Sequence, residues 1–203
     1  YYHLAESYLK TDKKQQALNA FKKASEMEFD AKIQEDAYLN YAKLSYEIGN
    51  PYQSVPEIMN AYLAKYPNTS YKQEINTLLI SSYITSKNYK EALVLLEKSK
   101  SPENKLAYQK VTFYRGLELY TDGDFKGAYS LFKKSIAENK DAKFSARATF
   151  WKGETEYNLD QFEEAKLSFL QFLNSSEAST TPEFKNANYN LAYAYFKLKE
   201  YDN

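Results

Sequence analysis

One spacing constrains this chain more than any other feature. A small residue, valine in one case, is followed four positions later by a large apolar one at Ala17/Phe21, Val55/Met59, Ala92/Leu96, Ala128/Phe132 and Ala165/Phe169. Three residues ahead of these pairs stand Lys14, Tyr52, Tyr89, Phe125 and Phe162, and Tyr201 continues the row, so the aromatic members follow one another at 37, 36, 37 and 39 residues. A second series runs ahead of the first: Ala5, Ala42, Ile80, Gly116, Gly153 and Ala192, of which only Ile80 is bulky. Tyr8, Tyr46, Tyr83, Tyr120, Tyr157 and Tyr195 follow it by three or four positions. Spacings of three and four belong to one face of a helix, and self-similarity at this period is the signature of stacked supersecondary units. Two helices of a hairpin approach to about 8–10 Å only where side chains lack bulk. The small stations allow that approach, the aromatic ones fill the space beside it, and stacking buries a core that no single hairpin could bury.

Composition agrees with helices. Five glycines and five prolines in 203 residues leave room for long helices joined by short turns and argue against a β-rich fold. A 43% hydrophobic content supports a core, and 27 basic against 27 acidic residues give no net cationic field for a phosphate backbone. There is no cysteine, which removes disulfides, thiolate nucleophiles and thiolate metal sites and suits periplasm and cytosol equally. Nothing approaches the roughly 18 apolar residues of a membrane span. The start at Tyr1-Tyr2-His3 has neither an initiator methionine nor a signal-peptide pattern, so the chain is expected to be an internal or processed fragment.

Catalytic constellations are not expected. His3 is the single histidine, so no histidine-based triad or multi-histidine metal site can be assembled. Glu163/Glu164 reads as a solvated helix face. Gly123 and Gly127 lack the lysine and hydroxyl residue of a phosphate loop. No cofactor and no metal are expected. Trp151, beside Gly153, suits either packing between repeats or ligand contact.

The pattern predicts helices over 1–10, 13–28, 30–48, 52–66, 70–86, 88–100, 102–122, 124–139, 141–159, 161–174 and 182–199, with 174–183 as the longest loop. Asn88, Asp124 and Asp160 are expected to cap second helices. Asn88/Glu91, Asp160/Glu163 and Ser70/Gln73 have capping-box spacing. Pro102 and Pro182 suit first helical positions.

The whole chain resembles the tetratricopeptide repeat, whose signature runs Trp-x2-Leu-Gly-x2-Tyr, then Ala-x3-Phe, then Pro. The first repeat offers Tyr1, Leu4, Ala5, Tyr8, Ala17, Phe21 and Ala24. The fourth offers Gly116, Gly123, Phe125, Ala128 and Phe132, and the fifth Gly153, Phe162, Ala165 and Phe169. It departs from the family in a mean period near 37 instead of about 34, and in a terminal proline kept only as Pro67. The resemblance implies an all-α, right-handed solenoid of antiparallel helix pairs with about 5.5 repeats. It would span 1–203 as a single body, with repeats at 1–29, 30–69, 70–101, 102–140, 141–181 and a truncated 182–203. Neither end carries a polar capping repeat, so the native protein is expected to continue both ways, and the uncapped ends offer surfaces for end-to-end self-association.

The resemblance also implies function. First helices of such hairpins line a concave face that holds a protein or peptide partner. Transferred by register, the lining stations are Tyr2, Lys43, Tyr46, Phe113, Tyr120, Phe150, Glu154, Tyr157, Tyr189, Tyr193 and Phe196. Tyr46, Tyr120 and Tyr157 come one position late, so they either face the groove or turn into the core. The lysine-and-asparagine clamp that chaperone-binding members close on a carboxylate is not matched, because its first stations hold Tyr2 and Glu6. Tyr66-Pro67-Asn68-Thr69-Ser70-Tyr71 and the aromatic-rich helices look like tetratricopeptide proteins of the Gram-negative envelope, such as the lipoprotein of the outer-membrane assembly machine and the periplasmic coordinator of envelope constriction. A periplasmic or outer-membrane-associated scaffold follows as the expected role. An RNA-binding helical repeat and the regulatory arm of a larger enzyme are the alternatives, the former disfavoured by the neutral charge.

Overall fold

With so little glycine or proline to interrupt it, the backbone closes its hydrogen bonds locally. The structure, a computed structural model describing residues 1–99 and 101–201, is all-helical among those residues. It forms two units, Tyr1–Asn88 and Tyr89–Asn203. The first contains α1 (Tyr2–Lys10), α2 (Lys14–Ser25), α3 (Ala31–Ile48), α4 (Val55–Lys65) and α5 (Lys72–Thr85). The second contains α6 (Tyr89–Ser99), α7 (Lys105–Thr121), α8 (Phe125–Glu138), α9 (Ala142–Asn158), α10 (Phe162–Leu173) and α11 (Phe184–Leu198). Within each unit every helix packs on the next in sequence. In the second unit α7 also meets α9, and α9 meets α11. The predicted end of the sixth helix at Lys100 lies outside the described residues.

The expected close approach is present in atomic detail. Gly116 on α7 faces the Phe132 ring on α8, where an added Cβ would stand 2.8 Å from Cε1. Gly153 on α9 faces Phe169 on α10 in the same way, at 2.9 Å. Ala5, Ala17, Ala42, Ala92, Ala128 and Ala165 are fully buried, as are Met59, Phe132 and Phe169. The sixth member of the small series departs from this: Ala192 is exposed, and α11 buries Ala187 and Ala194 instead.

The turns after α1, α5, α7, α9 and α11 share one geometry, from which the turn after α3 at Gly49 departs with ψ of 165°. Asp12, Lys87, Gly123, Asp160 and Lys199 all have φ between 55° and 82°. The next amide in each case donates back to Tyr8, Tyr83, Leu119, Glu156 or Tyr195 at 2.8–3.0 Å. This is the left-handed helix stop that satisfies the last carbonyls of a helix. It corrects one expected cap, since Asp160 occupies the left-handed position and Gln161 precedes α10 with no side-chain cap bond. Ser70 does not cap either, because α5 begins after Tyr71. Asp124 does cap α8, accepting from the Gly127 amide at 2.9 Å. Asp30 and Asp141 cap α3 and α9. The capping box forms at Ser54/Glu57, and it starts α4 at Val55 instead of 52. Pro102 opens a single 3-10 turn, and α7 begins only at Lys105.

Candidate partner-binding surface

Two of the expected lining residues belong to the core. Phe113 and Phe150 are 0% and 3% exposed. Phe144 of α9 packs edge-on against Phe113 at 5.4 Å, and the Arg147 guanidinium lies 4.6 Å above the Phe113 ring. Phe150 is enclosed by Phe169 and Phe172 of α10 at 5.6 and 5.3 Å. The register transfer fails at this station because the neighbouring helices cover it. Tyr189, counted at the same station of α11, is exposed.

In the first unit most of the stations tie one helix to another. The Tyr2 hydroxyl donates to Asp36 of α3 and its ring meets Phe21 edge-on at 5.8 Å. The bond to Asp36, together with burial, pushes the Tyr2 pKa up to about 12. Lys43 pairs with Glu74 of α5 at 2.5 Å. Tyr46 is exposed, and His3 lies in solvent beside Glu6.

The second unit brings the remaining residues together. Tyr120 is half-buried, edge-on to Phe125 at 5.4 Å and to Trp151 at 5.2 Å. Its hydroxyl donates to Glu154 Oε2 at 3.3 Å and accepts from Asn158 Nδ2 at 3.0 Å. Asn190 of α11 donates to Glu154 Oε1. Burial raises the Glu154 pKa and these donors only partly offset it. Tyr157 is half-buried, edge-on to Phe162 at 5.2 Å. Along α11, Tyr189, Tyr193 and Phe196 are all exposed, with the Tyr189 hydroxyl donating to that of Tyr193 at 2.9 Å. A cavity of about 240 Å³ opens here, lined by Glu154, Tyr157, Phe169, Tyr189, Asn190 and Tyr193.

Trp151 takes the packing role. Its indole N–H donates to Glu183 at 3.0 Å, and Arg147 pairs with the same carboxylate at 2.9 Å. Glu183 is nearly buried at the start of α11, where the predicted loop 174–183 and helix 182–199 overlap. Gln109 is another side chain that pattern reasoning passes over. Fully buried on α7, it accepts from the Lys140 and Asp141 amides at 3.0 and 2.8 Å and donates to the Asp141 carbonyl and to Ser145 Oγ. Asn158, four residues after Glu154 on one helix, had a spacing signal, whereas Asn190 had none.

Comparison with known proteins gives the fold a context. Residues 1–30 match the tetratricopeptide repeat. A point mutant of MamA aligns with a TM-score of 0.51 at 22% identity over 91% of this chain and 95% of that one, a likeness of fold. MamA of AMB-1 aligns at 0.47 and 22% identity over 87% and 98%. The TPR2AB domain of yeast Sti1, in complex with pHSP90, aligns at 0.40 and 18% over 98% and 83%. No curated protein matches the chain.

Proposed function

We propose that this stack of tetratricopeptide-like hairpins is a non-catalytic scaffold that holds an extended or helical segment of a protein partner on the face formed by α9 and α11. The observation that carries the reading is the cavity of about 240 Å³ at which Tyr157 of α9 meets Tyr189 and Tyr193 of α11. A spacing of four puts the two α11 tyrosines on one helix face. A fully covered aromatic ring contributes roughly 4–6 kcal/mol gross from burial of 150–250 Å². Ordering and association consume much of that, so a few such rings are needed to anchor a partner. Nucleic acid is a poorer fit, because 27 basic against 27 acidic residues leave no net cationic field, and four of the lysines pair with carboxylates distant in sequence. Lys14 pairs with Glu47, Lys43 with Glu74, Lys134 with Glu97 and Lys166 with Glu200.

The cell envelope is the proposed setting, supported by the likeness of segment 66–71 and the aromatic-rich helices to envelope tetratricopeptide proteins. Among the described residues no helix is long and apolar enough to cross a membrane. The test of binding is selection of a random displayed peptide library on the immobilised chain. Enriched peptides are expected to lose binding to the variant carrying Tyr189→Ser, Tyr193→Ser and Phe196→Ser while its helical circular dichroism is unchanged. Failure to enrich any peptide, or equal binding to the variant, would overturn the reading. Fractionation of the source cells tests the compartment, and recovery in the cytosol alone would reject it.

A further inference from the structure

We propose that the cavity between α9 and α11 receives a cationic side chain, lysine or arginine, from the bound partner, with Glu154 as its counter-charge and Tyr157, Tyr189 and Tyr193 as its aromatic walls. The inference rests on the scaffold reading and adds the chemistry of one residue that the surface selects.

The buried carboxylates Glu183 and Glu156 each meet a cation. Glu183 is matched by Arg147 at 2.9 Å, and Glu156 by Lys152 at 2.6 Å with Ser168 Oγ at 2.5 Å. The hydrogen-bond partners of Glu154 among the described residues are neutral: the Tyr120 hydroxyl and the Asn190 amide. A covered carboxylate without a cation carries a desolvation penalty that neutral donors only partly offset, which appears here as its raised pKa. A cation entering beside it would relieve that penalty, whereas an anion would add to it and an apolar group would seal it in.

The walls supply the second half of the site. Aromatic faces attract ammonium and guanidinium groups through the ring quadrupole, more strongly when water is excluded. The same trio of carboxylate, ring and cation is built within the chain elsewhere. Arg147 lies 4.6 Å above Phe113 while it pairs with Glu183. Lys166 lies 5.7 Å from the Tyr195 ring centre while it pairs with Glu200 at 3.0 Å. At Glu154 the carboxylate and the rings are present, and the cavity of about 240 Å³ has room for the head of a basic side chain and part of its stem. The larger cavity of about 540 Å³, lined by α6, α7 and α8 residues, differs in this respect, since its Lys134 and Glu97 already pair at 2.8 Å.

The experiment is an NMR titration of the isotope-labelled 203-residue chain with N-acetyl-arginine amide, N-acetyl-lysine amide and the uncharged isostere N-acetyl-citrulline amide. The two cationic probes are expected to shift the Asn190 side-chain amide and the backbone amides of Tyr189 and Tyr193, saturating with Kd on the order of 10 mM. Citrulline amide is expected to cause no saturable shift. Glu154→Gln should weaken the cationic probes by about tenfold or more, and Tyr193→Ser, at an exposed position, gives a second variant whose folding is not at issue. Equal response to citrulline, no saturable response to either cation, or undiminished binding in both variants would overturn the proposal. A chain that selects peptides through α11 yet ignores capped arginine overturns this inference and leaves the scaffold reading standing. A chain that saturates with capped arginine but enriches no peptide supports the site and overturns the scaffold reading.

Discussion

Phe169 lies so close against Gly153 that a methyl group on that glycine would meet the ring at 2.9 Å, although Gly153 sits in the interior of a helix. Replacing an interior helical glycine by alanine ordinarily stabilises by about 0.5–1 kcal/mol. Here Phe169 is fully buried and packs on Phe150, so it yields only by repacking its neighbours. Gly153→Ala is therefore expected to destabilise by about 1–3 kcal/mol, and pairing it with Phe169→Leu should recover part of the loss through a favourable interaction term. Urea unfolding of the four chains measures this. A single variant as stable as the parent would mean that the ring has slack.

The left-handed turn makes the opposite prediction for glycine. Lys87 and Asp160 hold φ near 60° where the equivalent turn of α7 uses Gly123. A residue with a Cβ costs roughly 1–2 kcal/mol in this conformation, and the unfolded-state entropy of glycine returns part of that. Lys87→Gly is expected to gain up to about 1 kcal/mol and Lys87→Val to lose at least as much. A valine variant as stable as the parent in chemical denaturation would contradict the turn geometry.

Arg147 joins three things at once: the Glu183 carboxylate, the face of Phe113 and, through Glu183, the Trp151 indole. Arg147→Ala leaves a nearly buried carboxylate without its partner, a change that costs about 3–5 kcal/mol. Arg147→Met combined with Glu183→Gln keeps the volume and removes both charges, so it should recover most of the loss. Thermal melts of the two variants separate charge pairing from packing.

The tyrosines divide by position. Tyr120 packs on Phe125 and Trp151, so Tyr120→Ser should destabilise by about 2 kcal/mol. Tyr193 is exposed, so Tyr193→Ser should stay within about 0.5 kcal/mol of the parent while weakening peptide capture. Equal effects of the two on the melting curve would show that they share one environment.

Alkali offers an independent measurement. Burial pushes the Tyr62 pKa up to about 12, and burial with the Glu154 charge does the same for Tyr120, both well above the ordinary phenol value. A raised folded-state pKa means that the folded chain keeps the proton the unfolded chain gives up. The associated stability is fully present below pH 10 and is lost as pH rises toward 12. Tyrosinate absorbance should therefore show a late-titrating class of rings, shrinking when Tyr62 or Tyr120 is replaced by phenylalanine. Titration of all tyrosines near pH 10 in the folded chain would contradict their burial.

Residue order alone was enough for the helices, their hairpin rhythm and the small-against-large contacts. A pair such as Gly153 and Phe169 carries its meaning in its spacing, because the helix and the hairpin turn are local geometry. The turn positions were half legible, since Asp12, Lys87, Asp160 and Lys199 adopt a conformation that glycine would have advertised. The face each side chain meets was decided by tertiary structure. Phe113 and Phe150 share one station, yet α9 covers the first and α10 encloses the second. The identity of Glu154 as a carboxylate without a cation likewise depends on Asn190, 36 residues away, and on where α11 lies against α9. Periodicity specifies which side of a helix is apolar, but desolvation and charge pairing depend on which neighbours arrive there, and those are set by how the helices stack.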